Sequence, residues 1–178
     1  KELSKARKAI GLPASGVVYS AFNQLWKIDR KIFTMWMRVL KQVPTAYLWL
    51  PIFPDVAVPN LKKSAEKLGV NASRLVFTQL FSEAEHLNAK SLADVQLDTY
   101  TYNGHTSGAD LLWAGVPTVT VPGLKQSARV GASLLCGLQL GATIARTLED
   151  YAVLAAAMAK PKGRQVVREA LMRARMQP

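Results

Sequence analysis

Short β-branched and apolar runs, each followed by a longer stretch of helical periodicity, constrain this chain more than anything else in it. A strand, a crossover helix and a further strand build a parallel sheet with helices on both faces. The runs are Val17 to Ala21, Tyr47 to Leu50, Leu75 to Thr78, Val95 to Asp98 and Thr118 to Val121, with a less marked sixth near Thr143. Helices are predicted between and after them, over about 30–42, 60–68, 84–89, 107–114, 125–138, 148–158 and 163–172. In the first of these, Ile32, Phe33, Trp36, Val39 and Leu40 recur on one face behind Asp29, a suitable N-cap. Pro51, Pro54 and Pro59 make PIFPDVAVP a stiff loop. The expected fold is α/β, a doubly wound Rossmann-like parallel sheet with strand order 3-2-1-4-5-6. It forms one unit: a basic lead-in over 1–15, a core over 16–145 and closing helices, cut short, over 146–178. Such sheets bind ligands beyond the carboxyl ends of their strands. That rule selects five loops: FNQLWKID, PIFPDVAVP, QLFSEAEH, TYTYNGHTS and PGLKQS.

Bulk properties narrow the function classes. With 49% hydrophobic residues in 178, the chain has ample material for a core. No apolar run approaches the roughly 20 residues that span a bilayer, so a membrane partner is not expected. The start, KELSKARK, has neither an initiating Met nor a charged-then-apolar leader, and a segment excised from something longer is the expectation. The single cysteine, Cys136, lies among Leu134, Leu135 and Leu138 and reads as a small core residue in a reducing compartment. A net charge of +11 suggests a polyanionic partner. Its distribution argues against nucleic acid. Lys1, Lys5, Arg7 and Lys8 crowd one end and Lys160, Lys162, Arg164, Arg168, Arg173 and Arg175 the other, with no aromatic residues interleaved as a stacking platform. A solvated basic surface, or contact with acidic parts of a longer polypeptide, accounts for the ends better.

The loops carry the chemistry. In the fourth, Asn103 and Gly104 permit a tight turn, and His105, Thr106 and Ser107 fall at a helix start, where free N–H groups and the helix dipole favour an anion. Asp110, one turn further on, is a poor phosphate ligand and a good acceptor for sugar hydroxyls. A phosphorylated sugar or nucleotide diphosphate fits this set, and so does a plain Thr/Ser helix cap. The first loop brings Asn23, Gln24 and Lys27 to the same sheet edge, with Lys27 a mobile cation for phosphate oxygens. His86 in the third loop could stack on a base or sugar, or simply face solvent. Missing motifs exclude other classes. There is no GxGxxG of a dinucleotide enzyme, no GxxxxGK[ST] of a P-loop and no G-x-S-x-G elbow. Two histidines far apart and one cysteine give no metal-ligand spacing.

FNQLWKID, the block LADVQLDTYTYNGHTSGADLLWAGVPTVTVPG and the SARVGASLL that follows resemble the C-terminal catalytic lobe of the O-linked N-acetylglucosamine transferases, over about residues 16–141. The related SPINDLY proteins, which use GDP-fucose, begin the first loop with FNN and lack the histidine of GHTSG, so the chain sides with the N-acetylglucosamine enzymes. The resemblance implies one lobe of a GT-B glycosyltransferase that holds UDP-N-acetylglucosamine and transfers its sugar, with inversion and without a metal or other cofactor, to protein Ser or Thr hydroxyls. It implies that Gln24 and Lys27 hold the diphosphate, Lys27 neutralising the charge that grows on departing UDP. Gly104, His105, Thr106 and Ser107 would bind phosphate and the transferred sugar, and Asp110 the ribose. His86 would stack on uracil, with Phe81 beside it in the donor pocket. A parent protein in the cytoplasm or nucleus, with an N-terminal catalytic lobe and a tetratricopeptide array, is implied as well, and an isolated lobe that does not catalyse transfer. Departures from the pattern stand at Glu83 and Ala89, where family members carry lysine and arginine, and at Tyr102, where they carry a smaller residue. Losing two positive charges and gaining a negative one is expected to weaken UDP binding.

Overall fold

Strands form at all five predicted runs and lie parallel. In the computed structural model, which describes residues 2–175, they are β1 (Val17–Ser20), β2 (Ala46–Pro51), β3 (Leu75–Thr78), β4 (Val95–Leu97) and β5 (Thr118–Val119). Lys1 and residues 176–178 lie outside the described residues, as does the side chain of Arg175. The sheet order is β3-β2-β1-β4-β5. The expected sixth strand is reduced to a single parallel bridge between Thr120 and Ile144, because Gly141–Thr143 closes into a 3-10 turn instead.

Eight helices are described: α1 (Glu2–Ala9), α2 (Arg30–Gln42), α3 (Ala57–Lys67), α4 (His86–Lys90), α5 (Thr106–Trp113), α6 (Val130–Gly137), α7 (Leu148–Met158) and α8 (Pro161–Arg175). α2 begins where Asp29 accepts the Ile32 N–H at 2.9 Å, and its Ile32, Phe33, Trp36, Met37, Val39 and Leu40 are buried. α7 begins at Thr147, whose hydroxyl accepts the Asp150 N–H, with Glu149 and Asp150 favouring the positive end of the dipole. α3 starts earlier than expected and takes Pro59 into its first turn, where a missing N–H removes no intrahelical bond. No described helix is long and apolar enough to cross a membrane.

Both faces of the sheet are covered. Tyr19, Leu48, Leu50, Val95 and Leu97 pack with α2 and α7 on one side, while Val18 and Trp49 pack with Leu12, Leu111 and Val116 on the other. Trp36 Nε1 donates to the Tyr151 hydroxyl at 3.0 Å, and Tyr151 donates on to the Asp98 carbonyl at 2.9 Å. The α2–α7 layer is thereby tied to the carboxyl end of β4, where the candidate site begins.

Three expectations need correction. Residues 2–9, read as a charged lead-in, form α1. Their Arg7 is only 4% exposed and its Nη2 lies 2.8 Å from Asp94 Oδ2, while Arg164 and Arg168 approach Asp94 Oδ1 at 3.5 and 3.9 Å. Asp94 is thus the internal acid onto which both basic ends fold, and a local reading of either end cannot see a carboxylate so distant in sequence. The helix expected over 125–138 is split into a 3-10 turn, Gln126–Ala128, and α6. Cys136, expected in the core, is exposed, because α6 turns Leu135 inward instead.

Candidate active site

Parallel pairing of β1 with β4, Tyr19 opposite Val95 and Ser20 opposite Gln96, makes the first and fourth loops leave the sheet side by side. The buried Asn23 then reaches across: its Nδ2 donates to Thr99 Oγ1 at 3.0 Å and its Oδ1 accepts the Ser107 hydroxyl at 2.9 Å. Gly104 sits between these groups, and a Cβ there would lie 2.8 Å from Asn23 Oδ1 and 2.9 Å from Ser107 Oγ. A side chain at this point would push apart the Asn23–Ser107 hydrogen bond. Lys27 closes the approach by donating from Nζ to the Asn103 carbonyl at 3.2 Å.

Asp98, the residue after β4, anchors the fourth loop from below. Its Oδ1 accepts the N–H groups of Gly104 (2.8 Å) and Thr99 (2.9 Å), and its Oδ2 accepts the Thr120 hydroxyl (2.8 Å). Complete burial pushes this carboxyl up to about 6, against the pull of those three hydrogen bonds and of Lys27. Lys27 is shifted the other way, its ammonium lowered by burial while the Asp98 charge offsets part of that effect. The break before α6 belongs to the same assembly. The Asn103 N–H donates to the Ser127 carbonyl at 2.8 Å, Asn103 Oδ1 accepts the Gly131 N–H at 3.1 Å, and a ring nitrogen of His105 lies 3.3 Å from Ser127 O. A Cβ at Gly131 would collide with the Asp98 carboxylate.

Neither Thr106 nor Asp110 works as a helix cap. No side chain caps α5, Ser107 bonds to Asn23, and Asp110 turns to a neighbouring helix. The first amides of α5 therefore carry no side-chain cap, and Lys27 bonds to Asn103 just ahead of them; a helix start of this kind favours an anion.

A second group forms beside the first. Phe22, Pro51, Phe81, His86 and Lys90 line a cleft of about 260 Å³. Phe22 and Phe81 are fixed edge-on against the buried Trp49, at centroid distances of 4.5 and 6.0 Å. Lys90 Nζ lies 2.6 Å and His86 Nε2 3.6 Å from Asp110 Oδ2, which joins this cleft to α5. Such a volume, just below the usual range for drug-sized ligands, suits a flat base better than a whole nucleotide sugar.

Of the residues singled out in the sequence, Lys27, Gly104, His105 and Ser107 converge on the α5 start, and Phe81, His86 and Asp110 gather at the cleft. Thr106 is exposed at the first position of α5. Gln24 is exposed and its Oε1 accepts the Trp26 indole N–H, so its amide oxygen is engaged within the first loop. Asp98, Thr99, Ser127, Gly131 and Lys90 were missed. A carboxylate and a threonine closing an otherwise apolar strand, DT after VQL, was the signal available for the first two.

This doubly wound lobe, with its ligand-sized cleft and uncapped helix start at the carboxyl edge, has the architecture of a GT-B glycosyltransferase lobe. An O-GlcNAc transferase mutant of Thermobaculum terrenum superimposes with a TM-score of 0.85 at 30% identity, covering 89% of this chain and 31% of that one. The chain belongs to glycosyl transferase family 41, whose model matches residues 2–178. It is 40% identical over 166 residues, 92% of its length, to the Arabidopsis thaliana protein described as probable UDP-N-acetylglucosamine–peptide N-acetylglucosaminyltransferase SEC. It is 39% identical over 153 residues, 86% of its length, to the UDP-N-acetylglucosamine–peptide N-acetylglucosaminyltransferase of Caenorhabditis elegans. The chain spans 17% and 13% of those two relatives.

Proposed function

We propose that this chain is the donor-binding lobe of a UDP-N-acetylglucosamine:protein Ser/Thr O-transferase, acting with inversion and without a metal. The observation that carries this reading is the junction of Lys27 with Asn103 at the uncapped start of α5. A departing diphosphate gathers negative charge, and a fixed ammonium beside free helix amides stabilises that charge more than it stabilises the bound donor. Lys27 is the catalytic residue in this reading. Gly104, His105 and Ser107 hold the phosphates, Thr106 offers a hydroxyl to the transferred sugar, and Gln24 reaches the diphosphate after leaving Trp26. Phe81 and His86 receive the base. Asp110 takes a ribose hydroxyl while Lys90 holds its other contact. Lys90 also supplies a positive charge one residue beyond Ala89, where the resemblance led us to expect a loss. The missing N-terminal lobe would bring the protein acceptor.

Calorimetric titration of this chain with UDP and GDP tests the reading. UDP binding with GDP at least tenfold weaker is expected. The reverse order would favour a SPINDLY-like GDP-fucose donor, and no response to either would sink the donor-site reading. A noncatalytic RNA-binding module is disfavoured by the fold of the basic ends, since Arg7, Arg164 and Arg168 turn onto Asp94. RNA affinity that falls steeply with salt would revive it.

A further inference from the structure

Tyr102 stands where the sequence departs from its family resemblance, and the donor-site reading gives it no part. Its ring nevertheless touches two of the candidate phosphate-binding side chains, Lys27 and His105. The His105 imidazole stacks on it, with centroids 4.8 Å apart and planes 20° from parallel. Lys27 Nζ lies 4.2 Å from its centroid, and the exposed Trp26 indole meets it edge-on at 5.6 Å. One ring therefore joins the first loop to the start of α5.

The groups that Lys27 touches directly are uncharged, and this matters. Its ammonium is held by the Asn103 carbonyl and the Tyr102 π-face, with the Trp26 ring at 5.8 Å, and although the buried Asp98 carboxyl acts on it from a distance, it forms no ion pair among the described residues. A carboxylate in that position would fix the lysine and cancel its charge at once. A carbonyl and an aromatic face fix it and leave the charge available to an incoming anion. A lysine side chain loses substantial rotamer freedom when it is immobilised, so holding it before the ligand arrives removes that loss from binding. The same ring sets the plane of His105, whose other contact is the long 3.3 Å approach to Ser127 O.

We propose that Tyr102 is a positioning residue, holding the Lys27 ammonium and the His105 imidazole in place for a nucleoside diphosphate through the face of its ring. The inference rests on the donor-site reading above. It requires the ring and not the hydroxyl, which separates it from a general packing role.

The test uses this chain with Tyr102→Phe and Tyr102→Leu, titrated with UDP, inorganic pyrophosphate and uridine, while NMR follows the ring protons of its two histidines. Tyr102→Phe is expected to bind all three probes within about twofold of the parent. Tyr102→Leu is expected to weaken UDP and pyrophosphate about tenfold, the scale of a partly desolvated cation–π contact, with uridine unchanged. The His105 resonances should move as the stacked ring is lost, and those of His86 should stay. Equal UDP affinity in the parent and Tyr102→Leu would overturn the inference alone. So would an equal loss in Phe and Leu, or a loss of uridine parallel to that of UDP. A parent chain that takes up neither UDP nor pyrophosphate would overturn the donor-site reading and this inference with it.

Discussion

Two side chains, Lys27 and Asp98, show how single residues set the site's electrostatics. In a full-length enzyme, Lys27→Met keeps the length and removes the charge that the donor-site reading sets against the leaving diphosphate. A fall in kcat of roughly two orders of magnitude is expected, the scale of losing one preorganised stabilising group, with a smaller loss of UDP affinity because the α5 amides remain. Normal turnover would make Lys27 a bystander. Asp98 gives a separate prediction in the isolated chain. Its carboxyl is raised from an ordinary 3.8 to about 6, so the native state takes up a proton between those values that the unfolded chain has already released. The sign follows directly. This group favours folding most below about pH 4, and its contribution falls as pH rises towards 6 and levels off above that. Asp98→Asn retains an acceptor for the Gly104 and Thr99 N–H groups and can donate to the Thr120 hydroxyl. Urea unfolding between pH 4.5 and 7 should show a stability difference between parent and variant that shifts towards the variant with rising pH. A difference that stays constant with pH would mean that Asp98 keeps its ordinary value.

At the scale of elements, the strands and α2 and α7 were legible because their information is local. An apolar run of four residues, or a stripe at helical spacing behind Asp29 or Thr147, states its own conformation. The α1 helix and the split before α6 were not legible, because each depends on a distant partner, while the sixth strand gave way to a local 3-10 turn at Gly141–Thr143. α1 stays down because Arg7 donates to the Leu92 carbonyl at 2.7 Å and pairs with Asp94, which also accepts the Val18 N–H at 2.9 Å. The break at Gln126–Ala128 exists to present Ser127 O and the Gly131 N–H to Asn103. The cradle residues were visible as types in GHTSG, while their arrangement through Asn23 and Asp98 needed the β1–β4 pairing. A prediction belongs to the Asp94 cluster. Asp94→Ala leaves Arg7 buried without its partner, at 4% side-chain exposure, and should cost about 3 kcal/mol or more of folding stability. Arg7→Ala should cost less, since Arg164 and Arg168 still face the carboxylate. Denaturant melts of the two variants check the order, and equal losses would show that Asp94 matters only to α1.

Across the whole molecule, the site is open on one side. The Lys27 cradle and the Phe81–His86 cleft share the carboxyl edge of the sheet, and the chain spans only 17% and 13% of its two relatives. Transfer to a serine or threonine needs a group that takes the hydroxyl proton as the new bond forms. Four of the groups that line the Lys27 site and the cleft are already engaged. Asp98 is fully buried beneath Gly104, a His105 ring nitrogen faces Ser127 O beside the Tyr102 ring, and Asp110 is paired with Lys90. His86 Nδ1 lies 2.7 Å from the Glu83 carbonyl, with Nε2 towards Asp110. On the donor-site reading, the donor is held here and its acceptor chemistry is expected to depend on residues elsewhere. This chain, incubated with UDP-N-acetylglucosamine and a Ser/Thr-rich peptide, is expected to bind the donor and leave the peptide's mass unchanged. Calorimetry and mass spectrometry on the same sample check both halves of that expectation. A peptide gaining one N-acetylhexosamine would show that the acceptor base lies within this chain.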